Sequence, residues 1–139
     1  MPLTFEEIST GQRFEFDSAF SAADMDRFAE LSGDHSPIHT DPLTARQFGF
    51  PDRLQYGFLL TTLLSRLVGT HFAHAVCASL SLDFVQPALP GQRIQLAAEV
   101  SQIQTTMRSV ALKFTLANET AIVARGKLTT VFLSTPPTP

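Results

Sequence analysis

The stretch Gly57-Phe-Leu-Leu-Thr-Thr-Leu-Leu-Ser-Arg-Leu-Val68 decides the fold class. Its apolar residues, Phe58, Leu59, Leu60, Leu63, Leu64, Leu67 and Val68, form an arc wide enough that most of a helix's circumference should be buried. Thr61, Thr62, Ser65 and Arg66 leave a narrow polar stripe, and they interrupt a run already too short to span a bilayer. Four segments with period-two alternation follow: Val76, Ala78, Leu80, Leu82, Phe84; Ile94, Leu96, Ala98, Val100; Val110, Leu112, Phe114, Leu116; and Ile122, Ala124, Gly126, Leu128. They read as half-buried antiparallel strands. The connectors Pro87-Ala-Leu-Pro-Gly91, Gln104-Thr-Thr-Met107 and Ala117-Asn-Glu-Thr120 are short enough for a meander. A buried helix followed by a sheet with one apolar face to cover predicts an α+β domain with the sheet wrapped on the helix.

Upstream of the buried helix, the pattern predicts a strand near residues 12–20 and then a helix over residues 22–31. Ser21 and Asp24 make an approximate capping box for that helix, and Met25, Phe28, Ala29 and Leu31 make its apolar face. Gly33 suits a left-handed C-cap. A second short helix is expected over residues 42–48, with Asp41 as N-cap, Pro42 at its first position and Gly49 as its stop.

Between these two helices lies the segment with the most chemistry, Phe28-Ala-Glu-Leu-Ser-Gly-Asp-His-Ser-Pro-Ile-His39. Pro37 has no N–H and biases Ser36 away from helix, so Asp34 and His39 fall on a turn of constrained backbone. An imidazole takes or gives a proton near neutral pH, and a carboxylate can orient it or deprotonate water. Turn chemistry alone would explain Gly33, Asp34, Ser36 and Pro37 singly. Asp, Pro and His in this order, between an amphipathic helix and a buried one, favour an acid/base pair.

The segment resembles the signature of the MaoC-like dehydratases, or R-specific enoyl-CoA hydratases, which runs aromatic-x-x-Leu-Ser-Gly-Asp-x-Asn-Pro-(Ile/Leu)-His. Phe28, Leu31, Ser32, Gly33, Asp34, Pro37, Ile38 and His39 match, while Ser36 stands in place of the usual Asn. The resemblance continues through Asp41-Pro42, Phe48, Phe50-Pro51, the 57–65 stretch and Phe84-Val-Gln-Pro-Ala-Leu-Pro-Gly91. It implies a hot-dog fold, a homodimer with sheets joined edge to edge, and an acyl thioester of coenzyme A or acyl-carrier protein as substrate, with no further cofactor. The strand around residues 79–86 is the expected interface edge, because an uncapped strand invites pairing.

Adding water to a 2-enoyl thioester requires water at C3, a proton at C2 and stabilisation of charge on the thioester oxygen. Asp34 and His39 suit the first two needs, in an order the sequence leaves open. The resemblance makes Gly57, at the positive end of the buried helix, the oxyanion donor, although a helix-initial glycine can equally be a tolerated cap. Ser65, Tyr56 and Ser36 complete the oxyanion and substrate-binding group that the resemblance implies. Tyr56 stands where the family usually has His. Ser65 lies about 12 Å along the helix axis from Gly57, and it either touches the dyad or bonds back to a carbonyl one turn earlier.

Composition narrows the other classes. The 139 residues are 44% hydrophobic and 17% charged, which suits one globular domain over residues 1–134 with a proline-rich tail at 135–139. Net charge is −3 and no two of the ten Lys and Arg are adjacent, so nucleic acid is not an expected partner. Cys77 is alone, His71 and His74 lack further ligands at zinc spacing, and no metal site is expected. The N-terminus has no basic flank followed by an apolar run, so neither a secretory signal nor a membrane anchor is expected and a cytoplasmic location fits. A hot-dog thioesterase and a non-catalytic acyl-thioester binding subunit are the competing readings. The first would not require the Gly-Asp-x-x-Pro-x-His segment, and the second is motivated by Ser36 and Tyr56.

Overall fold

The computed structural model describes residues 1–134, so the expected 135–139 tail lies outside the described residues. A 3₁₀ turn at Phe5–Glu7 leads into β1 (Arg13–Ala19) and α1 (Ala22–Ser32). Two short helices follow, α2 (Pro37–Thr40) and α3 (Pro42–Gln47), and then the buried pair α4 (Gly57–Leu60) and α5 (Thr62–His71). The strands β2 (Ala75–Phe84), β3 (Arg93–Gln104), β4 (Ser109–Ala117) and β5 (Ile122–Phe132) complete an antiparallel sheet of order β1-β3-β4-β5-β2. This is the hot-dog fold.

Alternation puts Ile94, Leu96, Ala98 and Val100 of β3 on the inner face with Val110, Leu112, Phe114 and Leu116 of β4. Register aligns Leu96 with Phe16 and with Leu116, and Leu116 with Ala124, so one apolar row crosses four strands. Leu60, Leu63, Leu64, Leu67 and Val68 bury against this face in a single continuous core. Each such side chain taken out of water contributes roughly 1.5–3 kcal/mol.

Several expectations need correction. The 57–68 helix is broken at Thr61, whose N–H bonds the Gly57 carbonyl at 3.1 Å, and it runs on to His71. Phe58 is exposed rather than buried, because it projects from the first turn toward the sheet edge, edge-on to Phe84 at 6.1 Å. Leu31 is 90% exposed: six residues past Met25 is about 120° around a helix, off the stripe of Met25, Phe28 and Ala29 that does pack. Ile122 is exposed at the start of β5.

The four later strands do not form a simple meander. Only β3, β4 and β5 follow one another in space, whereas β2 pairs with β5 at the far edge. The segment holding Pro87 and Pro90 therefore crosses from one side of the sheet to the other. Its backbone is satisfied on the way, since Ala88 O accepts from Gln55 N–H at 2.8 Å and Gly91 N–H donates to Phe20 O at 2.8 Å. β2, expected to be half-buried, exposes Val76, Leu80 and Phe84, because as an edge strand it has a neighbour on one side only. No helix among the described residues is long and apolar enough to cross a membrane.

Candidate active site

The site is built by the way α1 stops. Ser21 and Asp24 cap its start reciprocally, at 3.1 and 2.9 Å, and its stripe of Met25 and Ala29 buries against Tyr56. Gly33, at φ +79°, ends it in a left-handed turn that a side chain would strain. The chain then reverses through Asp34, whose Oδ1 accepts from the Ser36 N–H at 3.0 Å and the Ser36 hydroxyl at 2.5 Å. Pro37 opens α2, a single turn not foreseen from the sequence, and places His39 in its last turn. Proline here forbids continuation of α1 yet favours the first position of a new helix.

These bonds set the electrostatics of the pair. The Ser36 hydroxyl, then the Ser36 N–H, hold the Asp34 carboxyl below the usual carboxylate range, so Asp34 is an anion at neutral pH. His39 Nδ1 lies 2.8 Å from the Leu54 carbonyl, which can only accept. Nδ1 therefore carries the proton, and Nε2 is left for the site.

Residues 54–56 are tied to α2 and to the residue that follows β1. Leu54 N–H donates to Ile38 O at 3.0 Å, and the Gln55 amide donates to Phe20 O at 3.1 Å. Tyr56 is buried, its hydroxyl donates to the Asp34 backbone carbonyl at 2.6 Å, and its ring stacks on His39 at 4.2 Å. Burial, followed by the Asp34 charge, pushes the phenol above its ordinary pKa, so it stays neutral.

Asp34, His39, Tyr56 and Gly57 line one cavity of about 380 Å³, with Gln55, Phe58, Leu60, Phe84, Val85, Gln86, Pro87, Ala88 and Val123. Its wall is mainly apolar with a few polar groups, the general make-up of a small-molecule site. Gly57 opens α4, and the first N–H groups of a helix have no intrahelical acceptor.

Not every expected residue arrives there. Ser65 is exposed and lines a different groove, with Thr61, Leu64, Val68, Val76, Cys77 and Leu80, because eight residues along the helix carry it to the other end of the sheet edge. Ser36 does not line the cavity, since its hydroxyl is engaged by Asp34. Tyr56 lines it, but its hydroxyl is already bonded to the Asp34 backbone carbonyl. Arg53, just before residues 54–56, is buried and paired with Asp26 at 2.8 Å. The sequence did not single out Phe84 or the Leu54 carbonyl. The glycine opening the apolar helix and the family resemblance at residues 84–91 are signals that could have pointed to Phe84, whereas a backbone carbonyl leaves none.

A model of the MaoC like domain matches residues 4–121. The chain belongs to the MaoC-like family. It is 36% identical over 95 residues to a mitochondrial 3-hydroxyacyl-[acyl-carrier-protein] dehydratase of Arabidopsis thaliana, covering 68% of this chain and 57% of that one. It thus spans little more than half of that relative. It is 29% identical over 104 residues to an (R)-specific enoyl-CoA hydratase of Aeromonas caviae, covering 73% of this chain and 78% of that one. The solved structure of an (R)-hydratase from A. caviae superposes with a TM-score of 0.87 at 25% identity, covering 92% of this chain and 99% of that one. An R-hydratase from Pseudomonas aeruginosa superposes with a TM-score of 0.83 at 24% identity, over 96% and 93% of the two chains, and shares the fold.

Proposed function

We propose that this MaoC-like chain is an R-specific enoyl thioester hydratase and 3-hydroxyacyl thioester dehydratase, adding water reversibly and syn across a trans-2-enoyl thioester. The observation that carries the reading is the convergence of Asp34, His39 and the start of the Gly57 helix on one apolar cavity. In hydration, the Asp34 carboxylate holds a water against the bare Nε2 of His39, which takes a proton from it as the oxygen adds to C3. The Nε2–H so formed delivers that proton to C2 as the enolate collapses, returning His39 to its starting form, and the Gly57 N–H stabilises the charge on the thioester oxygen. A single oxyanion donor is typically worth about 3 kcal/mol. Dehydration runs the same steps backward, and no step calls for a metal or cofactor. The names of the plant and Aeromonas relatives support this class of substrate, carried on acyl-carrier protein in one and coenzyme A in the other.

A homodimer joined through β2 is part of this reading. β2 is an edge strand whose Val76, Leu80 and Phe84 are exposed, and pairing with a second copy would satisfy its free ladder and cover them. A cytoplasmic location also belongs to it, although the Arabidopsis relative is named as mitochondrial. The test is stereochemical. Purified protein with crotonyl-CoA in deuterated water should give a product oxidised by a 3R-specific but not a 3S-specific dehydrogenase, with deuterium entering C2 from the face that receives oxygen. A 3S product or anti addition rejects the shared-face pair, thioester hydrolysis in its place indicates a thioesterase, and binding without turnover indicates a binding subunit.

A further inference from the structure

Tyr56 touches both members of the pair. Its hydroxyl donates to the main-chain carbonyl of Asp34 at 2.6 Å, and its ring lies on the His39 imidazole, 4.2 Å between centroids and 26° from parallel. From behind, Phe28 of α1 meets the same ring edge-on at 4.8 Å. Its own N–H donates to the Gln55 side chain at 3.2 Å, and Gln55 is tied to the Phe20 carbonyl at 3.1 Å. Tyr56 is 2% exposed, held by these contacts.

We propose that Tyr56 is a positioning residue that joins the Asp34 turn and the His39 ring into one rigid unit and so fixes the direction in which Nε2 faces the cavity. The inference rests on the hydratase reading above. One hydrogen bond from Nδ1 to Leu54 O fixes a point on the imidazole but leaves the ring plane free to tilt about it. A flat neighbour in face contact removes that tilt. The Tyr56 hydroxyl meanwhile pins the backbone of the turn at Asp34, whose carboxylate accepts from Ser36 two residues away. A buried phenol needs a partner for its O–H, so bond and stack are made together. The phenol does not ionise near neutral pH and adds no titrating ring to the site. A histidine there, usual in the family, would add one.

The experiment compares Tyr56→Phe, which removes only the hydroxyl, with Tyr56→Leu, which also removes the stack, and uses Val110→Ala as an equally buried but remote control for lost stability. Misplacing a reacting group costs rate without weakening ground-state binding, so Tyr56→Phe should lower kcat for crotonyl-CoA hydration by about tenfold to a hundredfold while KM stays within about a factor of two. Tyr56→Leu should fall further, and Val110→Ala should keep its kcat. Independently of turnover, the ¹⁵N resonances of the His39 ring should report a single Nδ1–H tautomer in the parent and an averaged one in Tyr56→Leu. Parental kcat with unchanged imidazole resonances in both Tyr56 variants would overturn the proposal, as would a raised KM at constant kcat, which marks a substrate contact. If the parent turns over no enoyl thioester, the hydratase reading fails and the imidazole resonances alone decide whether Tyr56 orders the ring.

Discussion

The ring of Phe84 occupies the space that a side chain on Gly57 would need. A Cβ built on Gly57 falls 2.7 Å from Phe84 Cε1 and 2.8 Å from Cζ, closer than such atoms approach. Glycine therefore lets the edge of β2 close against the first turn of the buried helix, bringing an aromatic wall over the helix start where the oxyanion donor is proposed.

Gly57→Ala should push the Phe84 ring aside, which it can do because Phe84 is about half exposed. The protein should fold, while crotonyl-CoA hydration falls by at least about tenfold as the donor N–H and the ring lose their places. Adding Phe84→Ala should recover part of the loss. No recovery in the double variant, measured by initial rates, would mean that the collision with Phe84 is not the cause.

Asp34→Asn and His39→Ala should each lower kcat by about a hundredfold or more, as loss of a general acid or base does. Thermal unfolding should change little in Asp34→Asn, because the amide oxygen can still accept from Ser36, and more in His39→Ala, which loses the bond to Leu54 O and the stack on Tyr56. Residues working on one water are non-additive. The double variant should accordingly be little worse than the worse single one, and multiplied losses would count against a shared water.

Ser36→Ala tests the electrostatics. The Ser36 hydroxyl is the largest cause holding the Asp34 carboxyl below its ordinary pKa, with the N–H of the same residue next. Hydration needs Asp34 ionised, so its rate falls as pH drops through that pKa. Removing the hydroxyl raises the pKa toward the ordinary value, and the acid limb of kcat/KM should move to higher pH. Ser36→Asn, the usual family residue, should move it less. An unshifted acid limb in Ser36→Ala would separate that limb from Asp34.

The register of the helices has a stability signature. Leu67 is completely buried in the main core, and Leu67→Ala should cost about 2–5 kcal/mol by urea denaturation. Leu31, nine-tenths exposed, should tolerate Leu31→Ala within about 0.5 kcal/mol. Comparable losses at the two positions would contradict the face that α1 presents.

What the amino-acid order determined by itself is local. The Ser21–Asp24 box, the Gly33 stop, the Asp41 cap with Pro42 and the alternation of β3 and β4 depend on neighbours a few residues apart, and all are found in the structure. So do the positions of Asp34 and His39 about a proline, which a motif records because the turn is built from adjacent residues. Tertiary structure decided what depends on partners far along the chain. β2 leaves the meander for the far edge because an antiparallel ladder with β5 is equally open to it, and alternation marks a strand's faces without naming its neighbour. Leu31 and Phe58 are exposed and Arg53 is buried because the covering of a helix face depends on what packs against it. Tyr56 reads as an oddity in sequence, since the two atoms it holds, a carbonyl 22 residues earlier and an imidazole 17 earlier, come within reach only when α1, α2 and the start of α4 close on one another.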